Sequence, residues 1–77
     1  MGSVRAMSDM GSARKAREEV KRTIGGAPWC AGIGVEREDG VGFIVRVSVS
    51  AGSATIARDA VPERVGGVLV KIVENDA

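Results

Sequence analysis

Residues 42–50 read GFIVRVSVS, and this stretch decides the fold because large apolar residues occupy every second position. In a β-strand, residues two apart share a face, so the alternation predicts a strand with one apolar face. The apolar face carries Phe43, Val45, Val47 and Val49, and the other face carries Ile44, Arg46 and Ser48. We therefore expect one side of this strand to lie in a hydrophobic core.

A second strand precedes this one. Residues 38–40 read Glu-Asp-Gly, which is typical of a hairpin turn, and residues 29–37 read WCAGIGVER. Simple alternation places Ala31, Ile33 and Val35 on one face, and Cys30 with the glycines on the other. The sequence thus predicts an antiparallel hairpin with a glycine-lined face.

Upstream of the hairpin, the spacing of apolar residues changes to three and four. Ala13, Ala16, Val20 and Ile24 predict an amphipathic helix over residues 12–24, with Ser12 or Asp9 as N-cap. The glycines at 25 and 26 end the helix. We predict that residues 1–11 form a flexible N-terminal tail and that residues 12–77 form a single domain.

Downstream of residue 50 the pattern predicts a short helix over residues 54–60, then a turn around Pro62 over residues 61–65. Val68, Val70 and Ile72 alternate in a last strand, and the intervening helix favours a parallel pairing with residues 42–50. The predicted fold class is α+β, with the order αββαβ and a three-stranded sheet whose helices pack on one face.

The composition offers few means of catalysis. Among the 77 residues there is no histidine and only one cysteine. The usual general base and nucleophile pairs are therefore missing, and we interpret Cys30 as a packed thiol. Glu36, Glu38 and Asp39 lack the spacing of a calcium loop and indicate a solvated turn. We predict a protein that is not an enzyme and has no metal or cofactor.

Cysteine usage and hydropathy also bear on location. A single cysteine cannot form an internal disulfide, which favours a reducing compartment, so we expect a cytoplasmic protein. No apolar run approaches the ~18 residues that span a bilayer, and we expect no membrane partner.

Small size and the lack of catalytic groups favour a protein-interaction or regulatory module that binds a protein partner or a second copy through a sheet edge or the open sheet face. Leu69 and Val73 alternate out of the core and would leave apolar surface exposed, which predicts a homodimer or larger oligomer. Trp29 either seals the core or serves as an anchor. The candidate partner-binding residues are Trp29, Arg46, Leu69, Lys71 and Val73.

The alternative function is nucleic-acid binding through the first helix. Five cations on that helix could contact phosphates, namely Arg14, Lys15, Arg17, Lys21 and Arg22. Glu18 and Glu19 on the same helix, and a formal net charge of only +1, disfavour this alternative.

A pattern in residues 30–73 resembles small α+β accessory domains found beside trypsin-like serine proteases. It consists of GIGV at residues 32–35, Gly40, IVRV at 44–47, Val61-Pro62 and GGVLV at 66–70. The resemblance implies a non-catalytic accessory domain that docks on a protease or another effector. It carries over no catalytic residue.

Overall fold

The computed structural model describes residues 9–75, which form two helices and four strands. Their order is α1 Met10–Ile24, β1 Cys30–Glu38, β2 Gly42–Ser50, α2 Ala54–Ala60, β3 Arg64–Val65 and β4 Val68–Asn75. The α+β class is confirmed, as are the bounds of β2 and α2.

The sheet has the strand order β1-β2-β4-β3. β1 and β2 form the predicted antiparallel hairpin, and β2 pairs in parallel with β4, as the intervening helix indicated. Gly40 has φ 77, and the amide of Val41 bonds the carbonyl of Glu38. Asp39, the second residue of this turn, does not have a positive φ, so the turn is of type II, which favours glycine at its third position.

The fourth strand, β3, was not predicted. We expected a turn over residues 61–65, but Arg64 and Val65 pair antiparallel with Leu69 and Val68. Gly66 and Gly67 between them have φ 57 and 83, and positive φ at both central residues defines the type I′ turn of a two-residue hairpin. The pair of glycines was therefore a hairpin signal, and the sheet has four strands rather than three.

Both helices pack on one face of the sheet, as predicted. α1 contacts β1 and β2, while α2 contacts β4 and β2. Val45, Val47 and Val49 are fully buried in one hydrophobic cluster with Val20 of α1 and Ala57 of α2. Aliphatic side chains thus build the core, and neither described helix lies on the opposite face of the sheet, which we call the open face.

The first helix begins at Met10, two residues before the predicted start. The Asp9 carboxylate accepts a hydrogen bond of 2.7 Å from the Ser12 amide, so Asp9 is the N-cap. Met10 and Gly11, which we had placed in the tail, are therefore helical. Residues 1–8 of the predicted tail lie outside the described residues.

Strand β1 departs from the simple alternation that its sequence suggested. The pairing shifts between Cys30 and Gly32, because a β-bulge at Ala31 inserts one extra residue opposite β2. Cys30 consequently pairs with buried Val49 and packs against the core, whereas Ala31 is exposed. The predicted faces of these two residues were wrong, since a bulge reverses the alternation on one side of it.

Candidate functional site

The outer edge of β1 is the longest unpaired edge in the described part of the chain. β1 has nine residues, and its only neighbour among the four described strands is β2. At the other end of the sheet, β3 covers the start of β4, and the Val70 amide bonds the carbonyl of Glu63. Unpaired strand edges present rows of free N–H and C=O groups that can template another strand.

The pairing shows which groups of β1 point outward. The carbonyl of Glu38 accepts from Val41 inside the hairpin, so Glu38 points toward β2. Since successive residues of a strand point to opposite edges, the backbone groups of Ile33, Val35 and Arg37 point away from β2. Three residues in alternation are therefore available to bond a further strand.

Two cations flank this edge on the helix side. Glu19 and Thr23 on one flank of α1 line a pocket with residues 61–65, whereas Arg17 and Lys21 lie on the opposite flank. Arg17 and Lys21 line a depression of about 230 Å³ together with Gly25 and residues 30–33 of β1. The helix-side rim is thus positively charged beside residues 30–33, at the start of the edge.

On the open face of the sheet, the rim of the β1 edge carries no side chain at residues 32 and 34. Gly32 and Gly34 lie on the open face, opposite Ser48 and Arg46. A Cβ atom added at either glycine would meet no atom within 4 Å, and neither glycine has positive φ. Packing inside the described fold therefore does not require glycine at either position.

Farther along the open face, charged residues surround one apolar side chain. Ile44 is 0% exposed although it lies on the face opposite the helices. Glu36 is directly opposite Ile44, and its Oε2 lies 3.6 Å from the Arg46 guanidinium. Lys71 Nζ on β4 lies 3.4 Å from Glu38 Oε1 on β1. These two ion pairs occupy the face around Ile44.

The structure brings four of the five predicted partner-binding residues to this open face. Arg46 and Lys71 are exposed but engaged in the ion pairs, and Leu69 and Val73 are half-buried. Trp29 lies just before β1, is half-buried and packs against the core. The sequence interpretation missed Glu36 and Glu38 as partners of the two cations, although opposite charges on one face of the sheet were a readable signal.

The five cations of α1 do not share one face of the helix. The Arg17 guanidinium lies 3.2 Å from Glu18 Oε2, and the Arg22 guanidinium lies 3.9 Å from Glu19 Oε2. Lys15 lines a pocket beside Val65, on the side of the helix away from Lys21. Helical spacing therefore groups Arg14, Arg17 and Lys21 on one flank of α1, apart from Lys15 and Arg22.

Among residues 9–75, no three His, Cys, Asp or Glu side chains gather to hold a metal ion. Cys30 is a half-buried free thiol. The hydrogen bond from the Ser12 amide lowers the pKa of Asp9, which acts as a helix cap. Neither described helix is long and apolar enough to cross a membrane.

Comparison with family models, with curated proteins and with solved structures finds no match for this chain. The resemblance to accessory domains of trypsin-like proteases therefore stays a prediction.

Proposed function

We propose that this chain is a non-catalytic protein-interaction module that binds an extended segment of another protein along the outer edge of β1. The observation that carries the proposal is that β1, with nine residues, has a strand on one side only among residues 9–75. A segment added there would gain main-chain hydrogen bonds from Ile33, Val35 and Arg37, which is the mechanism of β-strand addition.

Natural proteins usually protect such an edge with charge, proline or a covering loop. Residues 30–35 contain neither proline nor a charged side chain. The bulge at Ala31 distorts only the first part of the edge. The edge is therefore unprotected at Ile33 and Val35, and the exposed charges of Glu36 and Arg37 begin only at its far end.

A peptide-display selection tests this proposal. Peptides selected for binding to the wild-type protein are mapped by backbone amide shifts, which we expect to concentrate on residues 33–37. Val35→Pro removes an outward N–H without removing a bond to β2, because edge strands tolerate proline where the N–H faces outward. The control Val35→Ala also shortens the half-buried side chain but keeps the N–H.

We expect Val35→Pro to reduce peptide affinity at least tenfold relative to Val35→Ala, provided that both variants keep the wild-type circular dichroism spectrum. Equal affinities of the two variants, or amide shifts confined to other surfaces, would contradict the proposal. If Val35→Pro does not fold, the substitution Arg37→Pro repeats the test at an exposed position, with Arg37→Ala as its control.

Self-association and nucleic-acid binding remain alternatives. Light scattering coupled to size-exclusion chromatography tests the predicted homodimer, which would involve the face with Leu69 and Val73. Nucleic-acid binding through α1 predicts affinity that falls steeply with salt. A protease partner, which the resemblance implies, would be one example of an effector that docks on this module.

A further inference from the structure

We infer that the edge of β1 selects an acidic extended segment, in which Asp or Glu alternates with large apolar residues. The inference rests on the proposed function and names the chemistry of its partner. Its evidence is the difference between the two rims of the edge: cations on the helix side, and glycines on the open side.

Arg17 and Lys21 have capacity to bind carboxylates. Lys21 is exposed and makes no ion pair within residues 9–75. The one ion pair of Arg17 within residues 9–75 is with the adjacent Glu18, and its Nε has no hydrogen-bond partner in that range. A guanidinium group offers five N–H donors, so a second carboxylate can be accommodated.

The spacing of the two cations fits a strand. Arg17 and Lys21 are four residues apart on α1, which corresponds to about 6 Å along the helix axis. Residues two apart on a strand are separated by about 6.7 Å and share a face. Two carboxylates at alternate positions of an added strand would therefore lie near one cation each.

The residues between those carboxylates would project over the open face, beside Gly32 and Gly34. No atom of the described fold lies within 4 Å of a Cβ placed at either glycine, so this surface is free to receive a larger side chain. Large side chains across from a strand glycine cover its exposed backbone. This favours an apolar residue at each intervening position.

The same charges disfavour a second copy at this edge. Antiparallel pairing of two β1 strands about a twofold axis leaves both helical layers on the same side of the joined sheet. Arg17 and Lys21 of each copy would then face those of the other, and like charges across an interface are repulsive. An acidic partner would instead neutralise them.

The test uses three blocked peptides with a terminal fluorophore: Ac-(Glu-Val)3-amide, Ac-(Gln-Val)3-amide and Ac-(Lys-Val)3-amide. Fluorescence anisotropy with the full chain measures affinity, and backbone amide shifts locate the site. We expect the Glu peptide to bind at residues 33–37, at least tenfold more tightly than the Gln peptide. The Lys peptide should bind more weakly than either.

Charge reversal supplies the matched variants. Arg17→Glu/Lys21→Glu should remove the preference for the Glu peptide, whereas Arg58→Glu/Arg64→Glu changes the net charge equally at exposed positions away from β1 and should preserve it. The milder pair Arg17→Gln/Lys21→Gln replaces the reversal if that variant fails to fold, and should reduce the preference in the same direction.

The outcomes separate this inference from the proposed function. Equal binding of the Glu and Gln peptides at residues 33–37 would overturn the acidic preference but leave the edge as the binding site. Absence of amide shifts at residues 33–37 with these peptides and with display-selected peptides would overturn both. Binding of a single-stranded oligonucleotide through Arg17 and Lys21, without binding of the Glu peptide, would favour the nucleic-acid alternative instead.

Discussion

Lys71 Nζ lies 3.4 Å from Glu38 Oε1, and this ion pair joins β4 to β1 across the central strand β2. Lys71 is level with Arg46, and Glu38 is level with Gly42, so the pair crosses β2 at the level of Ile44. Because Ile44 is fully buried on a face without helices, we infer that the long side chains around it exclude water.

Lysine 71 should therefore stabilise the fold more through its aliphatic stem than through its charge. Exposed ion pairs contribute about 0.5 kcal/mol, so Lys71→Met should change the free energy of unfolding by about that amount or less. Lys71→Ala would uncover apolar surface of Ile44, and each ~40 Å² uncovered costs about 1 kcal/mol at ~25 cal/mol per Å². Urea denaturation measures both variants, and an equal loss in the two would show that the stem does not cover Ile44.

Ile44 should behave as a core residue despite its position on the open face. We expect Ile44→Ala to reduce the free energy of unfolding by about 2–4 kcal/mol, the range for buried aliphatic truncations. Ile56→Ala is the matched control, because Ile56 is 54% exposed and should lose about 0.5 kcal/mol or less. Similar losses at the two positions, measured by urea denaturation, would contradict the burial of Ile44.

The type I′ turn at Gly66 and Gly67 should resist β-branched substitution. Gly66 has φ 57, where an L-residue costs about 1–2 kcal/mol, so Gly66→Val should be destabilising by that amount. Gly66→Asn should cost less, because asparagine adopts this conformation more readily. Thermal unfolding of the two variants checks the prediction, and equal midpoints would argue against the hairpin that defines β3.

Asp9 should stabilise α1 in a pH-dependent way. Its hydrogen bond with Ser12 lowers the pKa in the folded state, so the stabilising effect is present above about pH 4 and is lost as the pH falls through the lowered value. Asp9→Asn keeps a capping oxygen without the charge, whereas Asp9→Ala removes both. Thermal unfolding is measured from pH 2 to pH 7. The midpoint temperature of the wild type should exceed that of Asp9→Asn at pH 7, and the difference should shrink below pH 4. A difference that is constant with pH would contradict the role of the charge.

The sequence predicted the elements whose signals are local. The alternation in residues 42–50, the helical spacing of Ala13, Ala16 and Val20, and the turn at residues 38–40 each required only neighbouring residues. The bulge at Ala31 was not predictable in this way, because it depends on how β1 registers with β2. β3 was missed for a different reason, since Pro62 dominated the interpretation of residues 61–65 and the hairpin signal of Gly66 and Gly67 was not used.

The candidate site was less accessible to sequence reasoning than the fold. Arg46 and Lys71 were correctly placed on one face, but their partners Glu36 and Glu38 depend on the strand order β1-β2-β4. Arg17 and Lys21 come close to β1 only through the packing of α1 on the sheet. The predicted and observed sites therefore differ because the observed one depends on contacts between segments that are distant in the sequence.

Amide hydrogen exchange followed by NMR tests the central claim, an unpaired outer edge of β1, most directly. At low protein concentration, the account predicts slow exchange at Gly34 and Glu36, whose groups point toward β2, and fast exchange at Ile33, Val35 and Arg37. Addition of the Ac-(Glu-Val)3-amide peptide should slow exchange at the latter three. Uniformly slow exchange along residues 33–37 in the free monomer would contradict the account, because it would show that the edge is already covered.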